Sequence, residues 1–354
     1  MTSSKVTLRD IAEKTGVTRM AVSLALRGKS GVSDATRRKV LKVAKELGYE
    51  PDPEVAKLMT RIRSRTPADA KACLALLTSG PEREAWKRSV TERKYVEGAR
   101  ARAREYGYRI EDFWINEPGM STRRLGDIIW NRGIEGAIIP PLQARLSREH
   151  PRAVQLDYSL FSVVEISETV EWPDLDRAIH DQYTSTLKLL GELADLNYRR
   201  FGLVLEEALD LRVNGKWTAA YLQYVHRTGQ KKAPPPLILP EADATSFDRW
   251  YDRHRPDVII SVNRFGLELV QARGLDIPGE VGYASLDLDG VVSKWPDASG
   301  IDQNSERVGA AAVDMLVAAI QRGQRGIPEH PVRTQIEGTW VKGASTERQR
   351  PRTE

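Results

Sequence analysis

The side chains best placed for chemistry lie in "TLRDIAEKTGVTRMAVSLALRG", residues 7 to 28. After Gly16, Arg19, Met20, Ser23 and Leu24 fall at helical spacing on or beside one outward edge near a helix N-terminus. An arginine there can form paired hydrogen bonds with a guanine edge, a serine can donate to phosphate, and Met or Leu can meet apolar base surface. That chemistry is recognition, not bond breaking. The sequence has no Gly-rich Lys-Ser/Thr phosphate loop, no GxGxxG opening a helix and no HExxH, and His150, His180, His226, His254 and His330 are scattered. His180-Asp181 is the one acid/base pair worth naming, and neighbours on a helix point apart, so a capping or structural role reads better. No enzyme, metal or cofactor is expected.

The elements that must position these residues can be read locally. Thr7 followed by Asp10 is close to a capping box, and Leu8, Ile11 and Ala12 make one helical face. Gly16 stops this helix because glycine takes the left-handed conformation without a Cβ penalty. Thr18 caps a second helix from about Arg19 to Leu26, with Val22 and Leu26 inward and Gly28 at its end; Ser33 caps a third, Asp34 to Leu47, closed by Gly48. Val40, Leu41, Ala44 and Leu47 are expected to cover the first two, leaving Arg37, Arg38, Lys39, Lys42 and Lys45 outside. Two short helices across a glycine turn make a helix-turn-helix, a motif that can also serve for packing alone.

Charge favours nucleic acid. Residues 1 to 66 hold 15 Lys or Arg against 7 Asp or Glu, whereas the other 288 residues of the 354 hold 39 against 42. A basic head on a slightly acidic body points to a polyanion, since cations that neutralise phosphates release counterions. The single cysteine, Cys73, cannot form an internal disulfide, Met1 to Asp10 contains no apolar run, and nothing approaches a membrane span, so a cytoplasmic protein is expected.

Beyond the head, "YEPDP" introduces a short segment in which Asp52 can cap a helix with Pro53 at its first position. Val55, Leu58, Met59 and Ile62 give it one apolar edge, on a helix too short to be stable alone. With Arg61, Arg63 and Arg65 beside it, that edge suits a DNA groove; packing on the body is the other reading. The body then alternates apolar runs (Ala72 to Thr78, Gly136 to Pro140, Phe161 to Ile166, Phe201 to Glu206, Asp257 to Val262, Val281 to Leu286) with helical patterns such as Val90 to Tyr106, Ser121 to Arg132, Thr184 to Leu196 and Val213 to Thr228. Alternation of this kind means βαβ units, and the length fits two doubly wound parallel α/β subdomains.

The segments "TLRDIAEKTGVTRMAVSLALRG" and "VSDATRRKVLKVAKELGYEPDP" resemble the headpiece of the lactose/galactose repressor family. "RGIEGAIIPPL", "RFGLVLEE", "PDVIISVN", "IPGEVGYASLD" and "GIDQNSERVGAAAVDML" follow in the order of that family's sensor, which is similar to periplasmic sugar-binding proteins. The resemblance implies a homodimeric transcription regulator, a repressor, that binds a pseudo-palindromic double-stranded operator and answers to a small-molecule effector of carbohydrate type in a cleft between lobes. It implies a headpiece over residues 1–50, a hinge and linker over 51–70, an effector-binding and dimerisation domain over 71–343 and a polar C-terminal tail over 344–354. That tail carries no apolar heptad, so a dimer and not a tetramer is expected.

By position the resemblance places Arg19 and Met20 against bases, Ser23 and Thr36 against phosphates, and Leu58 in the minor groove. Thr7, Thr18, Leu24, Arg27, Ser33 and Val55 complete the DNA-contacting set. Leu24 stands where an arginine is frequent, and Pro53, Glu54 and Val55 alter the hinge. The effector candidates follow strand ends: the loop 79 to 93 with Trp86, Arg212, Asn263 with Arg264, and Asp287. Asn263 matches the family's ligand-contacting asparagine, and Arg212 lies within one residue of its arginine. Ala284 and Ser285 replace the aspartate usual after Gly-Tyr, leaving Asp287 as a displaced substitute. Plainer roles are a surface contact for Trp86, a turn for Asn263 and a solvated ion pair for Arg212. Two rivals remain, an effector-independent DNA-binding dimer and an enzyme tethered to DNA; a cleft between the lobes separates the first of these from a sensor.

Overall fold

A computed structural model describes residues 6–26, 31–49, 72–142, 156–230 and 233–349. The chain divides into two units, Met1–Pro67 and Ala68–Glu354. Arg27, Val55, Leu58 and the hinge expected over 51–70 lie outside the described residues.

The first unit holds α1 (Leu8–Thr15), α2 (Arg19–Leu26) and α3 (Asp34–Glu46). The capping box forms: the Thr7 amide donates to the Asp10 carboxylate at 2.7 Å, and the Asp10 amide donates back to the Thr7 hydroxyl. Gly16 ends α1 at φ 69°, in the left-handed region. The Thr18 hydroxyl accepts the Ala21 amide at 3.2 Å and the Ser33 hydroxyl accepts the Thr36 amide at 3.2 Å, so both predicted caps are made. Ile11, Ala12, Val22, Ala25, Val40 and Ala44 form the core. Two inward assignments change. Leu41 is 46% exposed, because one step beyond Val40 turns a side chain by about 100°, and Ala25 is buried where Leu26 is only half-buried.

The second unit contains two lobes. Strands β1 (Cys73–Thr78), β2 (Arg109–Trp114), β3 (Gly136–Ile139), β4 (Ser162–Ile166) and β5 (Asp176–His180) build the first. Strands β6 (Phe201–Glu206), β7 (Leu237–Leu239), β8 (Val258–Ser261), β9 (Gly282–Ser285) and β10 (Ser299–Asp302) build the second; β11 (Arg333–Ile336) returns to the first and β12 (Thr339–Val341) to the second. The sheet orders are β11-β5-β4-β3-β1-β2, all parallel, and β12-β10-β9-β8-β6-β7, parallel except for the antiparallel edge strand β12. Doubly wound lobes are as expected; the antiparallel edge was not, and it arises because the chain leaves β11 at the carboxyl end of the first sheet and passes directly into the second sheet at its carboxyl end, so that β12 runs against β10.

Helices cover both faces of each sheet, which is why the strands read as continuous apolar runs. In β1, Leu74 and Leu76 face α4 (Val90–Glu105) and α11 (Ser305–Arg322), whereas Ala75 and Leu77 face α5 (Thr122–Asn131). In the second lobe α6 (Gln182–Asp195) and α8 (Lys216–Thr228) lie on one face, α9 (Ala244–His254) and α10 (Phe265–Ala272) on the other, and α7 (Glu207–Arg212) follows β6 directly. Helices α4 and α11 pack backbone to backbone: a Cβ on Gly98 would collide with the Glu306 carbonyl, and one on Gly309 with the Tyr95 carbonyl.

The chain changes lobe after β5, after β10 and after β11. These passages lie side by side. The Asp181 amide donates to the Ile336 carbonyl at 2.9 Å, the Gly338 amide to the Ser185 hydroxyl at 2.9 Å, and the Asn304 side chain to the Glu337 carbonyl at 2.8 Å. Ser345 and Thr346, expected in a polar tail, are buried in the second lobe, where the Ser345 hydroxyl accepts the Ser299 amide at 2.7 Å. Short hydroxyl side chains can replace a missing strand partner, so polarity did not mark this segment as free.

Candidate functional site

A cavity of about 130 Å³ opens where the carboxyl ends of the two sheets meet. Its wall follows the strands in order: Ser89, Thr91, Glu92 and Tyr95 after β1, Pro141 after β3, Ser167 after β4, Gln182 after β5, Arg212 and Trp217 after β6, Asn263 after β8, Asp287 after β9 and Gln303 after β10. Ligands of open α/β sheets bind beyond strand carboxyl ends because loops there can change without disturbing the sheet. The lobes are joined around this space. The Thr91 hydroxyl donates to Asp287 at 2.9 Å, the Lys94 ammonium pairs with Asp289 at 2.6 Å, Arg212 donates to the Leu142 carbonyl at 3.4 Å, and the Lys216 ammonium bonds the Glu168 carboxylate.

Burial sets the electrostatics. It pushes the Asp287 carboxyl up to about 7, reinforced by the neighbouring Asp289, while the Thr91 hydroxyl and the Asp289 and Gly290 amides oppose the shift. Burial also raises Glu92 to about 7, with Arg212 as the opposing charge. The Trp217 indole N–H donates to Gln182 at 2.8 Å, and the Gln303 amide to the Leu286 carbonyl at 2.9 Å, so these side chains are fixed in orientation.

Of the expected effector residues, Arg212, Asn263 and Asp287 meet in this wall, and Trp86 and Arg264 do not. Trp86 is buried beside Tyr95 and Leu74 in the first-lobe core, since the 3-10 turn Ala85–Arg88 tucks its ring under α4. Arg264 turns out toward Glu268 at 3.8 Å, one helical turn along. Asn263 holds φ 52° beside Gly290, and it is the Ser261 hydroxyl, not Asn263, that accepts the Gly266 amide of the next helix, at 3.0 Å. Tyr95, Gln182, Trp217 and Gln303 were not foreseen, and Ser89, Thr91 and Glu92 were covered only as part of the loop 79 to 93, without being singled out. Glu92 gave a signal only as the third residue after the Ser89 cap, which reads as ordinary helix chemistry. Asp181 caps α6 through the Thr184 amide at 2.9 Å, in keeping with a structural role, and the His180 ring beside it is buried with both nitrogens unpaired.

In the first unit Arg19 and Thr18 are exposed at the start of α2 and Met20 is 68% exposed; Ser23 and Leu24 are half-buried one turn on. Thr7 and Ser33 are exposed, but their hydroxyls already cap helices; Thr36 is half-buried at 2.9 Å from Ser33. Arg38, Lys39, Lys42 and Lys45 stand outside α3 as expected, and Arg37 is half-buried. Among the described residues no helix is long and apolar enough to cross a membrane, and no group of His, Cys, Asp and Glu could hold a metal ion.

A family model of bacterial regulatory proteins of the lacI family matches residues 7–52, and one of periplasmic binding protein-like domains matches residues 190–346. The chain carries a lacI-family DNA-binding domain and a periplasmic binding protein-like domain. It is 23% identical over 334 residues to the HTH-type transcriptional repressor CytR of Escherichia coli K12, covering 89% of this chain and 90% of that one. In fold it is similar to the transcriptional regulator CelR in complex with cellobiose (TM-score 0.59, 19% identity, 97% of this chain and 100% of that one). It is similar also to the lac repressor dimer bound to operator and the anti-inducer ONPF (TM-score 0.56, 18% identity, 97% and 100%). The chain is a DNA-binding transcriptional regulator with an effector-binding domain behind its headpiece.

Proposed function

We propose that this regulator is a homodimeric repressor whose grip on a pseudo-palindromic operator is set by a small hydroxylated effector, of carbohydrate class, bound in the interlobe cavity. The observation that carries this reading is the cavity wall, where Arg212, Asn263 and Asp287 converge from three strand ends. The cellobiose held by CelR and the operator bound by the lac repressor dimer supply the ligand classes. Arg19 and Met20 read bases, with Thr18, Leu24 and Arg27 beside them; Thr7, Ser23, Ser33 and Thr36 serve the backbone; Val55 and Leu58 act in the hinge. The headpiece spans residues 1–50, the hinge and linker 51–70, and the sensor runs on from residue 71.

The mechanism is a shift between lobe arrangements. Thr91, Lys94, Arg212 and Lys216 bridge the lobes beside the cavity, so a ligand that bonds to both sides favours one arrangement over another. It can shift operator affinity only by its differential affinity for the two. The test is a binding-site selection with the full chain, followed by operator titrations in the presence of cellobiose and of common mono- and disaccharides. A site of two symmetric half-sites and an operator affinity moved by one carbohydrate are expected. A single asymmetric half-site would overturn the dimer, and an affinity indifferent to every carbohydrate would overturn the effector class.

A further inference from the structure

The charge on the cavity wall does not balance. Glu92 and Asp287 bring two carboxylates and Arg212 one guanidinium. Asp289, just behind, is answered by Lys94 at 2.6 Å and by the Ser305 hydroxyl at 3.2 Å. Asp287 is occupied internally, one oxygen accepting the Thr91 hydroxyl at 2.9 Å and the other the Asp289 amide at 3.0 Å. Glu92 is not. Its amide donates to the Ser89 cap at 3.2 Å, yet among the described residues no donor reaches its carboxylate, and Arg212 turns to the Leu142 carbonyl instead. Glu92 is half-buried at the cavity wall, and this partial loss of water without a partner raises its carboxyl to about 7.

We infer that the natural effector is a monocation, a hydroxylated molecule carrying one protonated amino group that seats on the Glu92 carboxylate while Arg212 and Asn263 take its hydroxyls. The inference rests on the effector reading of this cavity and narrows its ligand class. An ammonium there supplies the missing donors and brings the wall to neutrality. A neutral ligand would instead enclose Glu92 unpaired, and closure would draw a proton onto it. The two cases have opposite pH signatures: affinity for a cation of high amine pKa rises as pH passes through about 7, whereas affinity for a neutral ligand falls. The groups around Glu92 are Tyr95 on its own helix, Arg212 from α7, Asp287 from the second lobe, and behind it the pair formed by Lys94, also on α4, with Asp289 of the second lobe. Asp287 titrates in the same range, so its contribution is removed by comparison with a variant that keeps Asp287 and lacks the Glu92 charge.

The experiment uses the full chain and Glu92→Gln, titrated calorimetrically at pH 6 and pH 8 with matched pairs: glucose and 6-amino-6-deoxyglucose, galactose and 6-amino-6-deoxygalactose, glucitol and glucamine. Thermal melts of ligand-free protein check that the variant is folded. At least one amino compound should bind about tenfold or more tightly than its hydroxyl twin at pH 8, the low end for a charge-assisted hydrogen bond. That preference should shrink at pH 6 and vanish in Glu92→Gln. A hydroxyl twin that binds as tightly, a preference that survives in Glu92→Gln, or no binding by any amine would overturn the inference. The sensor reading is judged separately: it stands if a neutral carbohydrate moves operator affinity, and it falls with the inference if neither class does.

Discussion

The Thr91 hydroxyl donates to the Asp287 carboxylate at 2.9 Å, a bond that ties the first turn of α4 in one lobe to the loop after β9 in the other. Asp287 is buried and raised to about 7, so at pH 8 this donor serves a charge that has left water. Thr91→Val keeps the shape and removes the donor. We expect unfolding free energy to fall by about 1–3 kcal/mol at pH 8, and by less at pH 6, where Asp287 holds its proton. Urea unfolding at the two pH values is the measurement, and equal curves for variant and parent would show that the bond contributes nothing.

His180 gives a second pH effect of known sign. Its ring is buried where the three lobe crossings meet, against Gly338, and burial lowers it to about 4. The folded value lies below the unfolded one, so the unfolded chain takes the proton first. The stability His180 contributes above pH 6.5 is therefore lost as pH falls toward 4, by about 3 kcal/mol at ~1.4 kcal/mol per pKa unit. His180→Leu should show a shallower loss than the parent between pH 6.5 and 4.5. Denaturation midpoints that decline in parallel would rule the effect out.

The pair Glu165–Arg177 is the most buried ion pair among the described residues. Arg177 reaches Glu165 at 2.7 Å and the Val170 carbonyl at 2.7 Å, while Glu165 also accepts the Thr169 and Val170 amides, so the pair holds the loop that carries Ser167. Arg177→Met leaves a carboxylate uncompensated and should cost about 3–5 kcal/mol. The double variant Glu165→Leu/Arg177→Met should recover most of that in the same unfolding assay. A double variant no better than the single one would mean that packing, and not charge, is at issue.

For the headpiece, Arg19→Ala should alter base preference, and Lys39→Ala should weaken all sequences alike. Arg19 opens α2 and is exposed there; Lys39 is exposed on α3 among other cations. A lost base contact removes about 1–3 kcal/mol of discrimination, and a lost phosphate contact lowers the salt slope by about 1. Binding-site selection and salt titration distinguish them, and an unchanged consensus with the Arg19 variant would remove it from base reading.

What the sequence determined by itself was whatever rests on neighbours in the chain. The Thr7–Asp10 box, the left-handed Gly16 and the Ser33 cap each depend on atoms three or four residues apart, and each was readable. So were central strands such as β6, whose apolar run follows from burial on both faces. Edge strands were not: β2 reads "RIEDFW" and β11 "RTQI", and only a neighbouring strand makes either extended. The cavity divides in the same way. Arg212, Asn263 and Asp287 were found because strand ends locate loops, yet which loop residue turns inward was settled by packing between segments far apart in the chain. That packing put Trp86 into the core, Arg264 toward Glu268 and Glu92 into the cavity wall. Only the tertiary structure could decide the charge of the site, because a carboxylate's proton affinity depends on the water and partners it has lost, and these belong to the assembled lobes.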